Sequence, residues 1–192
     1  TVNPSSTLDS ETEYYVLIDA TAFDDSSSNS YAGISSTTAL SFTTADVVNP
    51  TLSSSSPADN ATAVDVNANI VLNFDESVDV ESGDITIKKT SDDSTVETID
   101  VTGAKVSGSG SSQITVNPSS TLDSETEYYV LIDAAAFDDS SSNSYAGISS
   151  TTALSFTTAD VSSPTLSSST PANGATDVAV DSNIVLNFSE SV

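Results

Sequence analysis

An all-β fold is predicted for this chain: antiparallel β-sandwiches of about seven strands, arranged as tandem repeats. Two observations carry that reading. The first is a period of 114 residues, in which Thr1-Val2-Asn3-Pro4-Ser5-Ser6 returns as Thr115-Val116-Asn117-Pro118-Ser119-Ser120. Residues 1–49 match 115–163 at all but three positions (Thr21/Ala135, Val48/Ser162, Asn49/Ser163), and residues 50–78 match 164–192 at 21 of 29. The second is a series of short segments in which apolar and polar residues alternate, broken by Gly, Pro, Asp and Ser. Alternation of period two is the mark of a half-buried strand. A unit of 114 residues is large enough to bury its own core. The repeats are therefore expected to be beads on a string, unlike solenoid turns that need their neighbours. The expected division is the C-terminal part of a preceding repeat at 1–49, a complete repeat at 50–163, and the N-terminal part of a following repeat at 164–192.

The elements of the complete repeat follow in order. Pro50-Thr51-Leu52 opens it after the linker Ala45 to Asn49, and Ser53 to Asp59 reads as an edge strand and turn broken by Pro57. Asn69 to Phe74 is a strand with Ile70, Leu72 and Phe74 on one face. Ile85 to Lys89 alternates again, Thr90 to Ser94 is a polar hairpin turn, and Thr95 to Val101 is the return strand. The Gly/Ser-rich stretch Gly103 to Ser112 reads as a mobile loop. Gln113 to Asn117 is a short strand stopped by Pro118, Glu127 to Asp133 is the strongest strand, and Leu154 to Thr158 closes the unit. Ala134 to Phe137 is the one hint of a helical turn.

Leu122, Thr126 and Tyr128 form an L-x-x-x-T-x-Y pattern ahead of the strongest strand, copied as Leu8, Thr12 and Tyr14. This resembles the tyrosine corner of Ig-like and fibronectin-III sandwiches, in which the Tyr hydroxyl bonds back to the upstream chain. Ser124 stands where the fibronectin version has Pro. The wider pattern resembles the SbsA-type bacterial Ig-like domain. It is carried by Pro50-Thr51-Leu52, Ser56 to Thr62, Asn69 to Phe74, Gly83 to Ile87 and Leu154 to Thr158, and in the next copy by Pro171 to Val178 and Asn183 to Val192. The resemblance implies an Ig-like sandwich found in tandem in large, adhesin-like secreted or cell-surface proteins. It implies little about activity, because function lives in sites carried on a fold. Where that resemblance leads one to expect Asp-x-x-Gly-Asn, this chain has Asp139-Ser140-Ser141-Ser142-Asn143.

Charge narrows the partners. The chain has 28 Asp and Glu against three Lys and Arg in total, a formal net charge of −25. No cation cluster is available to neutralise phosphate, so nucleic acid is not an expected partner. An anionic membrane surface would repel the chain, and no apolar run is long enough for membrane insertion. Calcium suits such an acidic surface. Acidity also keeps a long extracellular polymer soluble and apart from its copies. Cys, Met, Trp and His are absent, so disulfides, thiolate sites and the usual base–nucleophile pairs are missing, and no enzyme is expected. Any export signal or surface anchor is expected outside these residues.

Calcium takes six to eight oxygen ligands. The first candidate set is Asp133, Asp138, Asp139 and Asn143, with the copies Asp19, Asp24, Asp25 and Asn29. A second is Asp75, Glu76, Asp79, Glu81 and Asp84, and a third is the junction, where Asp46 or Asp160 meets a neighbour's turn. The plainer reading of each is a solvated Asp cap or turn. Lys89 shares strand parity with Ile85 and Ile87, which raises an internal Lys–Asn bond; the plainer reading is a strand-end Lys reaching water. Tyr129 and Leu131 fall on the outward parity, where they either form a lateral contact between modules or chains, or lie beneath a loop. Asn60-Ala61-Thr62 has the form of a glycosylation sequon.

The expected function is structural: a repeat of a large secreted or surface-attached protein, acting as stalk, adhesin shaft or fibre segment, with neighbouring repeats as partners. The first alternative is a self-associating extracellular filament subunit, lateral or end to end. The second is a calcium-dependent module binding glycan or another surface; against it, the chain lacks Trp for sugar stacking.

Overall fold

A computed structural model describes residues 1–192. Its strands, in chain order, are β1 (Glu13–Tyr15), β2 (Ser41–Thr43), β3 (Leu52–Ser56), β4 (Ala61–Val64), β5 (Ile70–Val80), β6 (Asp84–Lys89) and β7 (Thr95–Asp100). They continue as β8 (Val106–Ser107), β9 (Ser111–Val116), β10 (Glu127–Ile132), β11 (Phe137–Asp138), β12 (Ser155–Thr158), β13 (Leu166–Thr170) and β14 (Val185–Phe188). The fold is all-β, and the strands from β3 to β12 make an Ig-like sandwich. One sheet runs β4-β12-β10-β6-β7; the other runs β11-β5-β9-β8, with β3 also paired to β5. All these pairings are antiparallel except β12 with β4. The flanking segments hold a β1–β2 pair with isolated bridges at Ile18–Ile34 and Asp24–Ser30, and a β13–β14 pair.

The two sheets face each other because their alternating residues do. Ile70, Leu72, Phe74 and Val78 of β5 and Ile114 and Val116 of β9 point at Ile85 and Ile87 of β6 and Tyr128, Val130 and Ile132 of β10. The 21-residue apolar core lies wholly between Val66 and Phe156. Its aromatic end is Phe74 seated between Phe137 and Tyr145, with ring centroids 5.5 and 5.1 Å away. Edge-to-face geometry of this kind adds about 0.5–1.5 kcal/mol to burial alone. The tyrosine corner forms: the Asp123 N–H donates to the Tyr128 hydroxyl at 2.9 Å. One buried charge belongs to the scaffold. Glu97 on β7 contacts Lys105 Nζ and accepts from the backbone N–H groups of Ser119 at 3.0 Å and Ser120 at 2.9 Å.

Three expectations are corrected. Short β4, β8 and β11 bring the sandwich to more strands than the sequence indicated; segments of two to four residues hold too few residues to display a period. The stretch from Gly103 to Ser112 is folded into the sheet edge: Val106 pairs with Val116 and Ser107 with Thr115. No helical turn follows β10, because Ala135 adopts φ of 59° and its N–H is taken by the Tyr145 carbonyl at 2.9 Å. A left-handed residue ends a right-handed turn.

Candidate functional site

The arrangement of ionisable groups with the most chemistry lies where residues 1–49 meet the central sandwich. It grows out of the linker Ala45-Asp46-Val47-Val48-Asn49. Asp46 acts first as a local cap, its Oδ1 accepting from the Val48 N–H at 3.0 Å and from the Ser10 hydroxyl at 3.1 Å. From that position its carboxylate reaches the next module. Oxygens of Asp46, Glu76 on β5 and Asp139 just after β11 lie within 4.8 Å of one another. A cleft of about 290 Å³ beside them is lined by Ser10, Glu11, Asp46, Val48, Asp75 and Glu76.

The electrostatics follow from that crowding. Burial pushes the Glu76 carboxyl up, and the charges of Asp139 and Asp46 push it further in the same direction. Burial also acts to raise Asp139, but hydrogen bonds from the Asn143 side chain and from the Asn143 and Ser141 backbone hold it below the ordinary value. The following junction repeats the pattern. Glu190, the copy of Glu76, is raised by burial first and then by Asp160, the copy of Asp46, and by Glu125, the copy of Glu11. A cluster of this kind can share a proton or take a hard divalent cation, whose remaining ligands would be water or carbonyl oxygen.

In the first candidate set, several side chains are already committed to hydrogen bonds of their own. Asp139 is an Asx cap: Oδ1 accepts from the Ser141 and Asn143 N–H groups, and Oδ2 from Asn143 Nδ2, each at 2.8 Å. Asp25 repeats this with Ser27 and Asn29, again at 2.8 Å. Asp133 Oδ2 is committed elsewhere, accepting from the Asp84 N–H at 3.0 Å, and Asp138 Oδ1 is buried without a partner. The three carboxylates of Asp133, Asp138 and Asp139 do not all lie within 4.8 Å of one another, nor do those of Asp19, Asp24 and Asp25; Asp139 instead meets Asp46 and Glu76. The second set contributes only Glu76. Asp75 accepts from the Thr51 N–H and hydroxyl, both at 2.7 Å, and Asp79 from Ser109 Oγ at 3.2 Å.

Tyr129 is corrected as a free contact. It does point away from the core, yet it is only 2% exposed. Its hydroxyl donates to Asp93, and Lys88 Nζ lies 5.8 Å above its ring, so the β6–β7 hairpin covers it. Leu131 beside it is half-buried. Lys89 reaches out and pairs with Asp123 at 2.5 Å. The convergence of Glu76 with Asp139 was missed because they lie on separate elements. The one available signal was the internal copy, where Asp75 becomes Ser189 while Glu76 persists as Glu190.

No curated protein matches the chain. A crystal structure of the S-layer protein rSbsC(31-844) is similar at 18% identity with a TM-score of 0.40, covering 64% of this chain and 16% of that one. The chain thus spans less than a fifth of that structure's length. A family model described as bacterial Ig-like domain matches residues 46–158 and again 160–192. Two successive matches over most of the chain, the first on a sandwich with a tyrosine corner, place it in the bacterial Ig-like domain family.

Proposed function

We propose that this chain is a structural segment of a large extracellular bacterial surface protein, serving as a stalk, adhesin shaft or fibre segment. The observation that carries the reading is the serial arrangement: a sandwich with its own complete core, joined to its neighbours by short linkers at two equivalent junctions. A chain of self-sufficient modules transmits position along its length, which is what a spacer must do. The net charge of −25 supports an extended, soluble array, because like-charged modules repel. The absence of His and Cys from the sequence favours a non-enzymatic role.

Adding further 114-residue repeats tests this reading. Small-angle scattering is expected to give a maximum dimension that grows in proportion to repeat number, in a particle that stays monomeric. A dimension that stops growing overturns the spacer. Association that rises with concentration favours the filament alternative, which has lost Tyr129 as a contact.

A second reading rests on one specific observation, the meeting of Asp46, Glu76 and Asp139 at the junction. Calcium held there would tie the linker to the next sandwich and stiffen the joint. A ligand that binds only the folded state raises its melting midpoint. The expected result is a higher midpoint for the full chain in calcium than in chelator, with the difference lost in Glu76→Gln. An unchanged midpoint removes calcium and leaves the spacer intact. A glycan array tests surface recognition separately.

A further inference from the structure

The stretch Ala45 to Thr51, the linker and the first residues after it, looks free, but hydrogen bonds claim it at both ends. On the preceding side, the Val47 N–H donates to Ser10 Oγ at 3.0 Å, while that hydroxyl lies 3.1 Å from Asp46 Oδ1 and 3.3 Å from the Ala45 carbonyl. Ser10 sits within the tyrosine corner of residues 1–49. On the following side, the Thr51 N–H donates to Asp75 Oδ1 at 2.7 Å, and the Asp75 N–H returns a bond to the Thr51 carbonyl at 3.0 Å.

The second junction repeats both halves. The Val161 N–H donates to Ser124 Oγ at 2.9 Å, and that hydroxyl lies 3.2 Å from Asp160 Oδ1. Beyond it, the Thr165 N–H donates to Ser189 Oγ at 2.9 Å and the Ser189 N–H to the Thr165 carbonyl at 2.8 Å.

We infer that a serine in the tyrosine corner clasps the linker onto the module behind it, confining the pivot between modules to Val48-Asn49-Pro50 and Ser162-Ser163-Pro164. Little freedom is left there. Val48 is already tied at its N–H, proline fixes its own φ, and the residue before a proline is held extended. Two of the three differences between residues 1–49 and 115–163 fall in this stretch, at Val48/Ser162 and Asn49/Ser163, and all four side chains are exposed. Pro50, by contrast, is buried, so the exposed part of the first pivot is Val48-Asn49. The clasp deepens the spacer reading and rests on it only for what the array does with the stiffness.

Amide hydrogen exchange on the full chain tests the clasp. The Val161 amide is expected to exchange at least about fivefold more slowly than that of Ser163, the protection one hydrogen bond provides. Ser124→Ala should bring Val161 to the Ser163 rate while the Asp123 amide, bonded to Tyr128, stays protected. Equal rates in the parent, or an unchanged Val161 in Ser124→Ala, overturn the clasp. If Ser124→Ala also exposes Asp123, Ser124→Thr decides, because it keeps the hydroxyl: protection retained at Val161 supports the clasp and protection lost overturns it. The spacer reading fails separately, through particle length against repeat number.

Discussion

Residues 1–49 and 115–163 carry nearly the same sequence in two settings, and the contrast separates what local chemistry builds from what the rest of a module must supply. The tyrosine corner forms in both, with the Asp9 N–H bonded to Tyr14 and the Asp123 N–H to Tyr128, each at 2.9 Å. The Asx loops at Asp25 and Asp139 are the same to 0.1 Å. Even the register persists, Tyr14 opposite Phe42 and Tyr128 opposite Phe156. Burial does not persist. Tyr129 is 2% exposed and Tyr15 is 55% exposed; Phe137 is fully buried and Phe23 is 57% exposed. Between Phe23 and Tyr31 lies a cleft of about 490 Å³, and the equivalent seat in the central module holds Phe74. Turns and caps are thus written into residues 115–163, whereas the core is written between them and residues 50–114.

The largest test of this division is a pair of truncations. Phe137→Ala removes a fully buried ring and is expected to cost the central sandwich about 3–5 kcal/mol in chemical denaturation. Phe23→Ala changes the same residue of the copy and is expected to leave the central transition where it was. A comparable loss from both variants would mean that residues 1–49 share one cooperative core with the sandwich, and the contrast would collapse.

Glu97 provides the next test, because it belongs to the part of a module that residues 1–49 and 164–192 do not contain. Burial alone would raise its carboxyl; Lys105 and the Ser120 and Ser119 donors outweigh that and bring it down to about 2. A carboxyl depressed in the folded state stabilises when ionised. Its contribution is complete above the ordinary Glu value near 4.5 and is lost as pH falls toward 2. The shift corresponds to roughly 3 kcal/mol. Acid titration of the denaturation midpoint should therefore show a fall between those values that Glu97→Gln flattens. Glu76 at the junction has the opposite sign. Its raised carboxyl favours the protonated joint, and that preference disappears as pH rises through the raised value. A Glu76 carbon resonance titrating below the ordinary value would break the proposed crowding.

How much was legible follows the same division. The strands with clear alternation, β5, β6 and β10, and the corner at Tyr128 could be read directly, since each signal lies within a few residues. The two-residue β8 and β11 could not, because they exist only where β9 and β5 offer an edge. Tyr129 misled because parity gives direction and says nothing of what covers a side chain; its cover comes from Lys88 and Asp93 on another hairpin. In the Asp133 to Asn143 stretch the partnership of Asp139 was hidden for the converse reason. Closeness in sequence let Asp139 satisfy its own loop, and only its third dimension brought it to Asp46 and Glu76.

The smallest expected effect is the most discriminating. Tyr128→Phe keeps the buried ring and removes only the acceptor for the Asp123 N–H. The stranded donor lies beside an exposed side chain that water can reach, so the cost should sit near the low end for a lost hydrogen bond, about 1 kcal/mol. In the central module that loss enters a cooperative core and should appear in the denaturation midpoint as well as in faster exchange at Asp123. Tyr14→Phe removes the same bond from the copy, where the ring already stands partly in solvent. There the Asp9 amide should exchange faster while the midpoint stays fixed. Local and global readouts would then part company at one pair of equivalent tyrosines. If Tyr14→Phe moved the midpoint as far as Tyr128→Phe, the corner would be drawing its strength from the turn alone, and the core behind Tyr128 would add nothing to it.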